Sequence, residues 1–142
     1  MADLYLPDLN VLFAAFAYEY PHHKIARNWI LNTSHFATCS ITESGLMRLL
    51  ANTAIRKNAK FSDGVVAVQE LRAMSSSEFW LDDSSLIEPV IDTSVIAGYR
   101  QIPDFHLLNL AVSRGARLVT LDEKIMAAVS EKDKSNIINL GV

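Results

Sequence analysis

Short apolar segments alternate with longer amphipathic segments along this 142-residue chain, and the alternation is the strongest constraint on its fold. The residues from Leu4 to Pro7 form a short apolar run. The next apolar residues recur at the i, i+3, i+4, i+7 spacing of a helix, namely Leu9, Leu12, Phe13 and Phe16. Strands separated by helices need crossover connections, which are right-handed and give a parallel sheet covered by helices on both faces. The sequence therefore predicts an α/β fold.

The same alternation continues to the end of the chain. It predicts further strands at residues 36–39, 79–81, 117–120 and 137–140. It predicts helices at residues 22–32, 41–51 and 62–74, in a short segment after Asp92, and at residues 103–115 and 123–129. Gly115 should end its helix, because glycine tolerates the left-handed conformation found there. At this length, with 50% hydrophobic residues, we expect one domain spanning residues 1–142 with a sizeable core.

Charge and cysteine content limit the functional classes. The formal net charge is -3 at pH 7, which argues against a non-specific coat on nucleic acid but leaves room for a local basic patch. The single cysteine, Cys39, cannot form an internal disulfide, so we expect a reducing compartment. Asp3 and Asp8 do not fit a signal peptide, and no apolar run reaches the ~18 residues of a membrane span. These features predict a cytoplasmic protein without membrane association.

Four acidic residues occupy positions where parallel sheets bind ligands. Asp8, Glu43 and Asp122 each follow a predicted strand, and the carboxyl ends of parallel strands lie along one edge of a sheet. Asp104 begins a predicted helix and lies on its apolar stripe, so its side chain should point inward. All four are therefore expected to meet in one cleft. Carboxylates at such close range repel each other, and a divalent cation is the usual remedy.

The same acids also have a purely structural explanation. Asp8, Asp104 and Asp122 could each be a helix N-cap, and Ser40 with Glu43 fits the S-x-x-E capping box. Caps need not gather at one end of a sheet, whereas metal ligands must, so the clustering favours a metal site. The remaining central and C-terminal acids are expected in turns or caps: Asp82, Asp83, Asp92 and Asp133.

Four segments carry a resemblance to a known family: "LPDLNVL", "TESGLMRLL", "IPDFHLLNLA" and "RLVTLDEKI". In order, and over nearly the whole chain, they resemble the acidic motifs of the PIN domain, in particular the VapC-like ribonuclease toxins of bacterial toxin–antitoxin pairs. The resemblance implies a three-layer α/β/α fold with a five-stranded parallel sheet in the order 3-2-1-4-5. It also implies a cleft that holds Mg²⁺ or Mn²⁺ and hydrolyses RNA, and a small antitoxin protein as partner.

The resemblance matches six positions, the acids Asp8, Glu43, Asp104 and Asp122 as catalytic residues and Asn10 and Thr120 as supporting polar residues. We expect the metal to bind through Asp8 and Asp104, with Asn10 hydrogen-bonding either a carboxylate or a metal-bound water. Oxygen ligands without a cysteine or histidine cluster favour Mg²⁺ or Mn²⁺ over zinc. Pro7 departs from the usual pattern, and because proline lacks an N–H, the first strand should end its ladder there.

Basic residues are densest in the stretch "RLLANTAIRKNAK", close to the Glu43 motif. Such runs are often only solvated surface, but beside an acidic cleft they would guide an RNA backbone past the metal. We therefore predict RNA contacts at Arg48, Arg56, Lys57 and Lys60.

Two other classes of protein share part of this pattern. A phosphohydrolase of the haloacid-dehalogenase type also has an aspartate after strand one, but it needs a second aspartate two residues later, where this chain has Asn10. A PIN-like module that only binds a partner would be expected to lack an acid, and none is missing. The apolar segments "GLMRLLANTAI" and "VVAVQELRAM" also predict a homodimer.

Overall fold

A computed structural model describes residues 3–141 of the chain. Within this range it has the strands β1 (Tyr5–Pro7), β2 (Phe36–Cys39), β3 (Ser77–Trp80), β4 (Arg117–Thr120) and β5 (Ile137–Asn139). All neighbouring strands pair in parallel, in the order β3-β2-β1-β4-β5. The expected strand order is confirmed.

Helices cover both faces of this sheet. The α-helices are α1 (Leu9–Phe16), α2 (His23–Asn32), α3 (Ser40–Leu50), α4 (Phe61–Ala73), α5 (Ile102–Ser113) and α6 (Glu123–Ala128). Short 3-10 helices span Tyr99–Gln101 and Glu131–Asn136. No helix in residues 3–141 has the length and apolar character needed to cross a bilayer.

Alternating side chains of the strands divide the core into two halves. Leu118 packs into a cluster with residues of α5 and α6, whereas its neighbour Val119 packs into a cluster with residues of α1 to α4. Both side chains are fully buried. The period-2 alternation of a strand places them on opposite faces, so the three-layer α/β/α architecture is confirmed.

Two glycines have specific structural roles. Gly115 has φ +70°, the left-handed conformation predicted for the residue that follows α5. Gly64 lets α4 approach α3 closely, since a Cβ atom at this position would lie only 2.6 Å from the Cα of Met47. The backbone contact between α3 and α4 therefore depends on a residue without a side chain.

The prediction of a helix directly after Asp92 is wrong. Residues 81–98 form turns and extended segments instead, and their polar groups bond to distant parts of the chain. The N–H of Val90 donates to Asn109 Oδ1 at 2.8 Å, and the N–H of Asp92 donates to Asp133 Oδ2 at 2.9 Å. These bonds satisfy the backbone without a helix. Asp133, expected in a solvated charged turn, is 3% exposed for the same reason.

Candidate active site

Asp8 lies at the carboxyl end of the central strand, where β1 leads into α1. β1 ends at Pro7 as predicted, and the N–H of Asp8 donates to the carbonyl of Val119 at 2.7 Å, the bond that completes the Pro7–Val119 pair. Asp8 Oδ1 accepts a hydrogen bond from the Leu9 N–H at 2.7 Å and thereby caps α1. The backbone bond and the cap fix the position of this carboxylate at the edge of the sheet.

Asn10 and Thr120 connect the start of α1 to the end of β4 beside Asp8. The amide Nδ2 of Asn10 donates to Thr120 Oγ1 at 3.0 Å, and Asn10 Oδ1 accepts from the Leu121 N–H at 3.1 Å. The hydroxyl of Thr120 is 3.4 Å from Asp8 Oδ2 and accepts from the Asp122 N–H at 3.0 Å. Both predicted supporting residues therefore lie in one hydrogen-bond network with Asp8 and Asp122.

Asp104 links two clefts on this edge. It shares the first, about 480 Å³ in volume, with Asp8, and we call this the inner cleft; Asn10, Tyr20 and Ile55 also line it. It shares the second, of about 420 Å³, with Asp122, Arg100 and Lys124, and we call this the side cleft. The predicted apolar stripe of α5 is present, since Leu107, Leu108 and Ala111 are all buried. Three of the four predicted acids are therefore neighbours.

The charges of these three acids interact. Burial, together with the nearby Asp104 and Asp122 carboxylates, raises the pKa of Asp8 to about 6, against the hydrogen bonds from Leu9 and Thr120 that lower it. Burial also raises the pKa of Asp104, with Asp122 adding to the shift and Lys124 opposing it. In this environment ionised carboxylates are disfavoured unless a cation joins them.

Glu43 is held differently from the other three acids. Its carboxylate accepts two hydrogen bonds from Arg72, at 2.8 Å from Nε and 2.7 Å from Nη2, and a third from Thr38 Oγ1 at 2.8 Å. Arg72 also lies 4.4 Å from the ring centroid of Phe79, which holds the guanidinium from its other side. Glu43 lines neither the inner nor the side cleft, and its charge is already matched by an arginine.

The capping interpretation is correct for only two of the acids. Asp8 caps α1, and Asp122 Oδ1 accepts from the Lys124 N–H at 2.9 Å at the start of α6. Asp104 lies inside the first turn of α5 and accepts no hydrogen bond from residues 3–141. The Ser40–Glu43 capping box is absent, because Thr42 Oγ1 accepts from the Cys39 N–H instead. Capping therefore leaves Asp104 and Glu43 unexplained.

The donor chemistry fits a hard cation such as Mg²⁺ or Mn²⁺ better than zinc. No three histidine, cysteine or acidic side chains within the described range already enclose a metal position. Mg²⁺ is usually bound by one or two carboxylates and keeps several waters, which matches the pair Asp8 and Asp104 facing an open cleft. The buried carboxylate of Asp8, whose ionised form is disfavoured in the protein alone, supplies the negative charge that such an ion needs.

Sequence reasoning missed several residues that complete this edge. Arg72 and Thr38 hold Glu43, but Arg72 is 29 residues away from it and lies outside the basic stretch. Alternation along β2, which places Thr38 on a helix-covered face, is the signal that could have identified Thr38.

The predicted RNA contacts are not at the two clefts. Arg56 donates to Asp63 at 2.8 Å, while Arg48 and Lys60 line neither cleft.

A comparison with protein families decides the broader identity. The family model described as PIN domain matches residues 5–132. The chain belongs to the PIN-domain family. The haloacid-dehalogenase alternative is thereby removed. The PIN match spans all four acids and both supporting polar residues, so the motifs that carried the resemblance lie inside it.

Several relatives of this PIN domain come from Mycobacterium tuberculosis. Ribonuclease VapC38 is 36% identical over 135 residues, which cover 93% of this chain and 94% of the relative. Ribonuclease VapC39 is 33% identical over 131 residues, covering 88% and 93% respectively. Ribonuclease VapC44 is 30% identical over 139 residues, covering 95% and 98%. The similarity therefore extends over nearly the whole length of each protein.

Proposed function

We propose that this chain is an endoribonuclease of the VapC type that depends on Mg²⁺ or Mn²⁺ and acts as the toxin of a toxin–antitoxin pair. One observation carries the proposal: a buried carboxylate, Asp8, shares a cleft with Asp104 and is destabilised by neighbouring negative charge. The names of the M. tuberculosis relatives, all ribonucleases, support the choice of RNA as substrate.

Each residue of the site has a role in this proposal. Asp8 and Asp104 would hold the ion, while Asn10 and Thr120 keep Asp8 oriented. An ion held by these two carboxylates would supply positive charge to neutralise the phosphodiester and to activate a water for attack. Since the pKa of Asp8 is about 6, the carboxylate is mostly ionised at neutral pH and can bind a cation without first losing a proton.

Asp122 and Glu43 contribute in different ways. Asp122 lies next to Asp104 in the side cleft and adds negative charge to the site, and we retain it as a catalytic acid. Glu43 is also retained as a catalytic acid, and its three hydrogen bonds, two of them from Arg72, support a role at the border of the site.

Cleavage of RNA by the purified protein tests this function. The wild-type chain should cleave single-stranded RNA in Mn²⁺ and stop when EDTA is added. Asp104→Asn, which removes one charge at nearly constant size, should lose most of the cleavage. Asp3→Asn removes the same charge near the opposite, amino-terminal edge of the sheet and should cleave normally. A folded wild-type protein without any RNA cleavage would favour the alternative, a PIN-like module that only binds a partner.

The cellular setting forms part of the proposal. We place the protein in the cytoplasm, which agrees with a buried, unpaired thiol at Cys39. Its partners would be RNA and a small antitoxin protein. Sequencing the RNA ends that appear after brief expression would identify the RNA that is cut and the position of the cut.

A homodimer is also proposed, on part of the helix pair that the sequence indicated. The apolar residues of α3 and α4 largely bury each other, which leaves Phe61 and Val66 exposed by 67% and 61%. These two side chains offer an apolar contact for a second copy. Light scattering at micromolar concentration should give twice the monomer mass, and a strict monomer would contradict the dimer.

A further inference from the structure

A third cleft continues outward from the candidate active site. It has a volume of about 570 Å³, and we call it the outer cleft; Tyr18, Tyr20, Ile55, Arg56 and Lys57 are among its lining residues. Tyr20 and Ile55 also line the inner cleft that contains Asp8 and Asp104. The two clefts are therefore neighbours, and both volumes lie within the roughly 300–1,000 Å³ of small-ligand sites.

Tyr20 stands at the junction of the two clefts with its ring only partly covered. It is 45% exposed, and it packs edge-on against Phe13, with ring centroids 5.2 Å apart and planes inclined by 82°. The N–H of Tyr20 donates to the Ala17 carbonyl at 2.9 Å, which fixes the backbone that carries the ring. The ring is thus held in place and can still be reached by a flat ligand.

Lys57 is a cation of the outer cleft without an anionic partner among residues 3–141. Its neighbour Arg56 donates to Asp63 Oδ2 at 2.8 Å, so that guanidinium is already engaged. Lys57 forms no ion pair with any residue in the described part of the chain. The turn that carries it is ordered by the Ile55 N–H, which donates to the Asn52 carbonyl at 3.0 Å.

We propose that the outer cleft binds an unpaired nucleotide of the RNA next to the one that is cut, with its base against Tyr20 and its phosphate at Lys57. The proposal rests on the ribonuclease function proposed above. An aromatic ring offers a stacking surface to any base, and lysine pairs with phosphate whatever the sequence. Glu19 also lines this cleft and opposes phosphate binding, so Lys57 is the contact that must offset its charge.

This arrangement selects single-stranded RNA. In a duplex the base faces are covered by their stacked neighbours, so a ring fixed in a cleft cannot reach them without unstacking the strand. Since Tyr20 also borders the inner cleft, a base held there would keep a neighbouring phosphate near Asp8 and Asp104. The outer cleft would therefore position the substrate and leave the chemistry to the acids.

Binding of a short fluorescein-labelled single-stranded RNA, measured by anisotropy in EDTA, tests the inference without cleavage. Tyr20→Leu should weaken binding by about 10-fold, the effect of losing one stacked base, whereas Tyr20→Phe keeps the ring and should bind like the wild type. Lys57→Gln should lower the slope of log affinity against log salt concentration by about 0.7, the value for one phosphate contact on a single strand.

Arg117→Gln is the matched control for Lys57→Gln, because Arg117 is exposed at the amino-terminal end of β4, at the opposite edge of the sheet from the acids. Its salt dependence should equal that of the wild type. An unlabelled duplex of the same sequence should compete poorly with the labelled strand.

Three results would overturn the inference. Unchanged affinity for Tyr20→Leu, or an unchanged salt slope for Lys57→Gln, in a protein that still cleaves RNA in Mn²⁺, would refute this binding site and leave the proposed function intact. A wild type that neither binds nor cleaves RNA would overturn both. If Tyr20→Leu or Lys57→Gln binds RNA like the wild type but no longer self-associates in light scattering, then a second copy of the chain covers the outer cleft instead of RNA.

Discussion

Asp8 is held where its negative charge is disfavoured. It is only 6% exposed, and the carboxylates of Asp104 and Asp122 act on it from the same edge of the sheet. The chain nevertheless fixes this side chain through the cap on α1 and the Thr120 hydroxyl. A protein selected only for stability would have an amide here, so the carboxylate indicates a functional requirement for charge.

The free energy of unfolding without metal should therefore depend on the Asp8 carboxyl. Its pKa rises from 3.8 to about 6 on folding, so folding favours the protonated form. The protonated Asp8 carboxyl stabilises the folded state fully below the unfolded pKa, and this contribution is lost as the pH rises through about 6. Asp8→Asn cannot ionise and still caps α1, so it should be more stable than the wild type by up to about 3 kcal/mol at pH 8, and by much less at pH 4.

Urea unfolding in EDTA at both pH values measures this difference. The comparison of the two proteins at each pH removes the contributions of all other titrating groups. An Asp8→Asn protein that is less stable than the wild type at pH 8 would show that the carboxylate serves mainly as a cap.

Arg72 and Glu43 should behave as one unit. Arg72→Gln leaves the buried Glu43 carboxylate with Thr38 as its remaining side-chain partner, so we expect a loss of about 1–3 kcal/mol in the free energy of unfolding. The double variant Glu43→Gln with Arg72→Gln removes both charges and should recover part of the loss. Urea unfolding of the single and double variants completes a double-mutant cycle. A coupling energy of zero would contradict the pairing.

At the level of secondary structure, the helices predicted by strong periodicity are present. The helical spacing of the apolar residues in α1 and the position of Asp104 on the apolar stripe of α5 could be predicted, because both depend on residues close in sequence. The helix expected after Asp92 is absent, because Asn109 and Asp133 bond to the backbone of that segment from elsewhere in the chain. The Arg72–Glu43 pair was missed for the same reason, since a contact across 29 residues leaves no local pattern.

The contact between α3 and α4 gives a prediction at this scale. Gly64→Ala would place a methyl group 2.6 Å from the Cα of Met47, which must move because it is backbone. We expect a loss of about 1–3 kcal/mol despite the better helix propensity of alanine. Gly98→Ala is the control, since nothing lies within 4 Å of a Cβ at that position, and its effect should stay within about 0.5 kcal/mol. Thermal unfolding of both variants measures the difference, and equal melting temperatures would contradict the close approach.

At the scale of the whole molecule, the parallel sheet collects the site from distant parts of the sequence. Asp8 follows β1, Asp122 follows β4, and these strands are neighbours at the centre of the sheet. The order of the strands could be expected from the family resemblance, and it brings the first and last acidic motifs together. The clefts could not be predicted, because Tyr20 and Ile55 come from connections between helices whose course depends on packing.

Expression of the chain without its partner should arrest bacterial growth, and Asp104→Ala should remove the arrest. Asp104 accepts no hydrogen bond from residues 3–141 and is not the cap of α5, so its replacement removes charge from the clefts at little cost to folding. Growth curves with matched soluble protein levels measure the effect. Arrest by both proteins would mean that toxicity does not come from this site.

Calorimetric titration of Mn²⁺ into the purified protein tests most directly whether the acids at the sheet edge form a metal site. The wild type should bind Mn²⁺, and Asp8→Asn and Asp104→Asn should each weaken the affinity by about 10-fold or more. Losing a residue that only supports a metal ligand already costs about 10-fold, so losing a ligand should cost at least as much. Asp3→Asn should bind as the wild type does. Equal Mn²⁺ affinity in all four proteins would contradict the account, because the carboxylates of Asp8 and Asp104 would then hold no metal.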